Sequence, residues 1–191
     1  MEKPGTITIW LRRLQEGDAS VYDELIPVLY EELHQIAQQR LRNERKNHTL
    51  GATALVNEVY LKFVNQKLLQ LADRNEFMAV ASNAMRNILV DYARKKNRTK
   101  RGGGRPNIPL ENIEAFLSDR EAEEILKLDE ALERLANVNE RASQVVQYRF
   151  FGGLTQDETA EVLGVSKKTV QRSWTTAKAW LRKEIAAEFL V

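Results

Sequence analysis

LTQDETAEVLGVSKKTVQRSWTTAKAWL, residues Leu154 to Leu181, is the stretch from which the rest of the chain can be read. Thr155 and Glu158 have capping-box spacing. The threonine oxygen can cover the Glu158 amide while the glutamate reaches back to the Thr155 amide. Ala160 and Leu163 give a short helix an apolar side, and Gly164 suits a left-handed helix exit. Val165 can plug the angle between two helices, and Ser166 can cap the second. There Val170, Trp174, Ala177, Leu181 and Ile185 form one apolar stripe at steps of three and four. The other side carries Lys168, Gln171, Arg172, Thr175 and Arg182. Such a helix-turn-helix can be held by its stripe while offering basic and amide groups to a DNA major groove.

Charge supports that reading. From Leu163 to Lys183 there are six basic residues (Lys167, Lys168, Arg172, Lys178, Arg182, Lys183) and no acid. A merely solvated face mixes signs. The net charge of +2 over 191 residues hides two further blocks. Tyr92 to Arg105 holds seven bases (Arg94, Lys95, Lys96, Arg98, Lys100, Arg101, Arg105) and no acid. Glu111 to Glu133 holds nine acids against Arg120 and Lys127. Two basic blocks around an acidic one imply two contacts with a polyanion and a middle segment that avoids it or mimics it.

The remaining pattern is helical. A short first helix ends near Leu11 and Leu14, and Gly17-Asp18 turns the chain. Tyr22, Leu25, Leu29, Leu33, Ile36 and Arg40 share one side of a second helix, which Pro27 should kink or begin. Residues 43–51 are polar and predict a loop. Leu55, Val56, Val59, Phe63 and Val64 line a third helix. Residues 73–75 predict a turn, and a fourth helix runs from about Glu76 to Lys96 with Phe77, Ala81, Ala84, Ile88 and Tyr92 inward. The glycine triplet at residues 102–104, with Pro106 and Pro109, predicts a linker over 101–120. It contains a small apolar cluster of Ile108, Leu110, Ile113, Phe116 and Leu117. Helical spacing resumes at Ile125, Leu128, Leu132 and Leu135, and another helix spans roughly Asn139 to Phe151. The expected fold is all-α: two small helical domains, residues 1–100 and 121–191, joined by that linker.

Composition excludes several classes. There is no cysteine, hence no disulfide, thiolate metal site or cysteine nucleophile. No apolar run approaches the roughly 18 residues that span a membrane, and MEKPGTITIW lacks the features of a signal peptide. A cytoplasmic location is expected. His34 and His48 lie on separate elements without a carboxylate at ligand spacing, so no metal is expected. No phosphate loop or nucleophile elbow occurs, and no cofactor or catalytic residue is expected.

Several stretches together resemble bacterial extracytoplasmic-function (ECF) sigma factors, specifically an ECF-like subgroup. They are GDASVYDELIPVLYEEL, HTLGATALVNEVYLKF and FMAVASNAMRNILVDYARKK in the first half, and ASQVVQYRFFGGLTQDETAEVLGVSKKTV in the second. The resemblance covers about Ile9 to Ile185. It implies two helical DNA-binding domains, sigma regions 2 and 4, that bind core RNA polymerase and direct it to promoter DNA without being an enzyme. In region 2 it places Asn87 at an extruded base of the −10 element. Asparagine suits that task because its amide both donates and accepts. Arg86, Arg94, Lys95 and Lys96 become phosphate contacts. Asn57, Glu58, Leu61 and Lys62 become the face that docks on the polymerase clamp helices. In region 4, Lys168, Gln171, Arg172 and Thr175 become readers of the −35 element, with Ser166, Lys167, Thr169 and Lys178 holding phosphates. Lys168 stands where a small residue is frequent in the family, and Trp174 where leucine is, so Trp174 reads as packing.

A monomer is expected when free, with an anti-sigma factor or another regulator left open. Two rivals make different demands. A serine recombinase needs an α/β catalytic domain ahead of its helix-turn-helix, where no strand pattern exists. A one-component repressor or activator needs a dimer surface for two half-sites.

Overall fold

The computed structural model describes residues 5–40, 48–63, 71–100 and 118–187. Among the described residues there are eight α-helices and no strand. They are α1 (Thr6–Gln15), α2 (Tyr22–Arg40), α3 (His48–Phe63), α4 (Arg74–Lys100), α5 (Asp119–Val138), α6 (Glu140–Val146), α7 (Gln156–Leu163) and α8 (Lys167–Ala187). The expected linker glycines, prolines and apolar cluster, with Val64, lie outside the described residues, as do the side chains of Arg40, Lys62 and Phe63.

Helix α4 is the axis of the molecule. It packs against α1 and α3 on one side and against α5, α7 and the segment after α6 on the other. The inward set read from its sequence is buried at Phe77, Ala81, Ile88 and Tyr92 and half-buried at Ala84. A second buried set lies beside it: Met78, Ser82, Met85, Leu89 and Ala93. A helix that is apolar on most of its circumference belongs inside a fold, and each fully buried large side chain contributes about 1.5–3 kcal/mol. One hydrophobic cluster accordingly runs from Ile7 and Leu11 in α1 through α4 to Leu132, Leu135, Phe151 and Ala177.

Helix ends depart from the sequence expectations in three places. Helix α3 begins at His48, so the last four residues of the expected polar loop are helical. Gly51 closed the expected polar loop, but a helical glycine costs only about 1 kcal/mol, which the buried Ala52, Leu55, Val56 and Val59 outweigh. Helix α4 begins at Arg74 and runs to Lys100, longer than expected at both ends. Asp73 is its cap: its carboxylate accepts the Glu76 amide at 2.8 Å, while Glu76 reaches back to the Ala72 amide at 2.7 Å. The turn read at residues 73–75 is therefore a capping residue and the start of a first turn. Helix α5 begins at Asp119 under a Ser118–Glu121 capping box, so residues 119 and 120 of the expected linker are helical. Pro27 sits inside α2 rather than starting it.

Asn139 caps α6 through the Ala142 amide, and a five-residue π-helical turn (Gln147–Phe151) follows. The wider turn buries Phe151 and Gln147 against α4. Gly153 then turns the chain with φ +67°, and a Cβ there would lie 2.9 Å from Cγ1 of Ile36 on α2.

Candidate nucleic-acid interface

Local chemistry builds the pair α7 and α8 as its sequence implies. Thr155 Oγ1 accepts the Glu158 amide at 3.2 Å, and the Thr155 amide donates to Glu158 Oε2 at 2.7 Å. Gly164 ends α7 in the left-handed region (φ 62°, ψ 35°), and the next amide, of Val165, reaches the Ala160 carbonyl at 3.0 Å. That closing bond satisfies one of the carbonyls a helix end leaves open. Ser166 Oγ accepts the Thr169 amide at 3.2 Å and caps α8. Val145, Ala160 and Val170 form a small core that Leu163, Val165 and Trp174 pack against.

This leaves one side of α8 open. Val170 and Ala177 are fully buried, while Lys167, Lys168, Gln171, Arg172, Thr175, Lys178 and Arg182 are exposed. Lys167 reaches Asp157 of α7 at 2.8 Å, an exposed pair worth little. Thr175 Oγ1 donates to the Gln171 carbonyl at 3.0 Å. Trp174 packs as read, and two cations face its ring: the Arg149 guanidinium lies 4.5 Å and the Lys178 ammonium 5.7 Å from it. Such contacts contribute about 0.5–2 kcal/mol each. Burial draws the Arg149 pKa below its usual value. Arg149 escaped the sequence reading because only the π-helical turn aims it at Trp174.

The basic residues of α4 meet a different setting. Asn87 is exposed and Lys95 is half-buried, its ammonium 5.8 Å from the Tyr92 ring. Arg86, however, is only 17% exposed and binds Asp129 of α5: its Nε donates to Oδ1 at 2.8 Å and its Nη2 to the Asp129 carbonyl at 3.1 Å. Its Nη1 donates to Gln147 Oε1 at 3.1 Å, and Gln147 Nε2 donates to the Ser82 carbonyl at 2.8 Å. Arg94 reaches the other Asp129 oxygen at 3.3 Å, and Lys96 lies 3.5 Å from Asp119.

At the other end of α4, Arg74 donates to Glu32 of α2 and to Glu158 at 2.6 Å, and Asn75 donates to Glu161 at 2.6 Å. Burial alone would raise the Glu158 carboxyl. The hydrogen bonds from Thr155 and the Arg74 charge outweigh it and hold the pKa below the ordinary value. Burial alone would lower Arg74, and its two carboxylates raise it instead. Neither Arg74 nor Asp129 was singled out in the sequence.

On α3, Asn57 and Glu58 are exposed and Leu61 is 64% exposed. Tyr30 donates to Asn57 Oδ1 at 3.0 Å. Burial first, then the charge and hydrogen bond of Glu58, push the Tyr92 hydroxyl up to about 12. Two tyrosines thus fix the polar half of this face beside the exposed leucine. His34 contacts Thr53 Oγ1 at 3.2 Å. Among the described residues no cluster of three or more histidine and carboxylate side chains could hold a metal, and no helix is long and apolar enough to cross a membrane.

A sequence profile described as ECF sigma factor matches residues 4–187. Comparison with curated proteins and with solved structures returns no match. The profile spans nearly the whole chain, and the protein belongs to the ECF sigma factor family. It is a DNA-binding factor of transcription initiation, and the family is one of regulators rather than enzymes. Core RNA polymerase and promoter DNA are the partners that membership implies.

Proposed function

We propose that this factor brings core RNA polymerase to promoters by reading the −35 element with α8 and holding a melted −10 element with α4. The observation that carries the reading is the open side of α8. Lys168, Gln171, Arg172 and Thr175 are exposed on a helix anchored by Val170 and Ala177. Arginine pairs two-pronged with guanine and glutamine with adenine, so this side has sequence-reading groups as well as charge. Ser166, Lys167, Thr169 and Lys178 hold phosphates around them. On α4, Asn87 takes an extruded base, whose unstacking costs a few kcal/mol repaid by stacking and edge contacts. Arg86, Arg94, Lys95 and Lys96 steady the backbone. Asn57, Glu58, Leu61 and Lys62 dock on the polymerase. Residues 1–100 and 121–191 act as two units joined through 101–120, in the cytoplasm.

The test is in vitro transcription with core enzyme across a genomic fragment library, reading start sites with the native protein and with Arg172→Ala. Arg172→Ala should lose about 1–3 kcal/mol of discrimination at one −35 position. An equal loss on every sequence makes Arg172 a phosphate contact only. Absence of any specific start site, together with no stoichiometric binding to core enzyme, refutes the reading.

A further inference from the structure

The basic side of α4 already has an anionic occupant, and it comes from the same chain. Asp129 is only 6% exposed, yet both its carboxylate oxygens are used: Oδ1 takes Arg86 and Oδ2 takes Arg94. Gln147 completes the cradle by bridging Arg86 to the Ser82 carbonyl. The same pattern repeats along α4. Lys96 meets Asp119, Arg74 meets Glu158 and Asn75 meets Glu161. Each of these carboxylates belongs to residues 118–187, and each partner lies on α4. A carboxylate in a two-arginine cradle offers what a phosphate offers: negative oxygens for guanidinium donors.

We propose that Asp129 is an internal phosphate mimic that latches the two halves together and must leave before Arg86 can contact promoter DNA, while Arg94 stays half in solvent at the rim. The inference rests on the proposed assignment of those arginines. Distance requires the same opening. Helix α4 packs on α7, and α7 packs on α8. Two helix–helix spacings of about 8–10 Å each separate the axes of α4 and α8 there, and Asn87 lies about 20 Å along α4 from Arg74 at 1.5 Å per residue. Elements centred about 25 base pairs apart lie roughly 85 Å apart at 3.4 Å per pair. The closed arrangement keeps the two readers well within that distance and cannot span both elements. Core polymerase or DNA must therefore supply enough binding energy to displace Asp129. The acidic block read in the sequence acquires a use: it occupies Arg86 and the seam along α4 while α8 stays open.

The chain has no cysteine, so a dye pair can be placed at Asp91→Cys on α4 and Ala179→Cys on α8, both exposed. Energy transfer in the free full-length protein then reports closure, with and without Asp129→Asn. The second readout is binding of a DNA duplex carrying a single-stranded tail. Asp129→Asn should lengthen the dye distance and tighten DNA binding. If the closed form holds about nine-tenths of the free molecules, the gain is roughly up to tenfold, because only the open fraction competes for DNA. Should Asp129→Asn fail to fold by circular dichroism, Glu161→Ala at the exposed second seam should shift both readouts the same way, more weakly. Unchanged distances in the folded variant overturn the latch. Longer distances with unchanged DNA binding overturn the competition and the phosphate role of Arg86. The reading of α8, tested by Arg172→Ala, stands or falls separately.

Discussion

Helices α4 and α8 are both long and rich in basic residues, and the molecule treats them in opposite ways. Helix α8 gives one stripe to the core and leaves its cations exposed, with, among the described residues, Lys167 alone beside a carboxylate of α7 at the surface. Helix α4 is buried on most of its circumference, and Arg74, Arg86, Arg94 and Lys96 all face carboxylates. The difference teaches that a count of lysines and arginines gives the sign of a surface but not its availability. Availability depends on which acids the rest of the fold delivers.

The largest effect that tests this contrast is in the core. Phe77 on α4 is 1% exposed, and Phe77→Ala should cost about 3–5 kcal/mol in denaturant unfolding. Because one hydrophobic cluster runs through both halves, the loss should appear in a single transition. Two separable transitions would mean that the halves part before either one unfolds. Next comes the turn that aims α8. Gly164 sits at φ 62° with nothing within 4 Å of an added Cβ, so Gly164→Ala should cost about 1–2 kcal/mol from backbone strain alone. A neutral result in thermal unfolding would show that the turn relaxes without strain.

The smallest effect concerns pH. Glu158 titrates below its ordinary value when folded. Its contribution is complete above the unfolded carboxyl pKa of about 4.3 and fades as pH falls through the folded value. The native protein should therefore lose part of its stability under acid that Glu158→Gln does not lose. Glutamine keeps the cap geometry but not the charge that faces Arg74. Identical acid profiles would remove the ionic role.

The legible parts of the fold were those set by near neighbours. Thr155, Glu158, Gly164 and Ser166 act on amides within a few residues of themselves, so spacing alone predicts them. The stripe of α8 is legible for the same reason. The second buried side of α4 was not, because the partners that cover Met78, Met85 and Leu89 come from residues far along the chain. A signal did exist. Asp129 lies on the apolar side of α5, four residues after Ile125 and three before Leu132, where an acid needs a buried partner. Ser82 and Arg86 interrupt the second stripe of α4 in the same way. Two polar interruptions on facing stripes identify a pair. The starts of α3 and α4 were misplaced because a polar stretch ending at Gly51 read as a loop and residues 73–75 as a turn, when the helix tolerates the glycine and Asp73 is a cap.

Gly153 passes so close to Ile36 that a single methyl at its Cα would act as a wedge. The snugness of the two halves is thus tuned by a missing carbon as well as by ion pairs. Gly153→Ala should therefore loosen the contact between α2 and the chain after α6 without altering any side chain of α8.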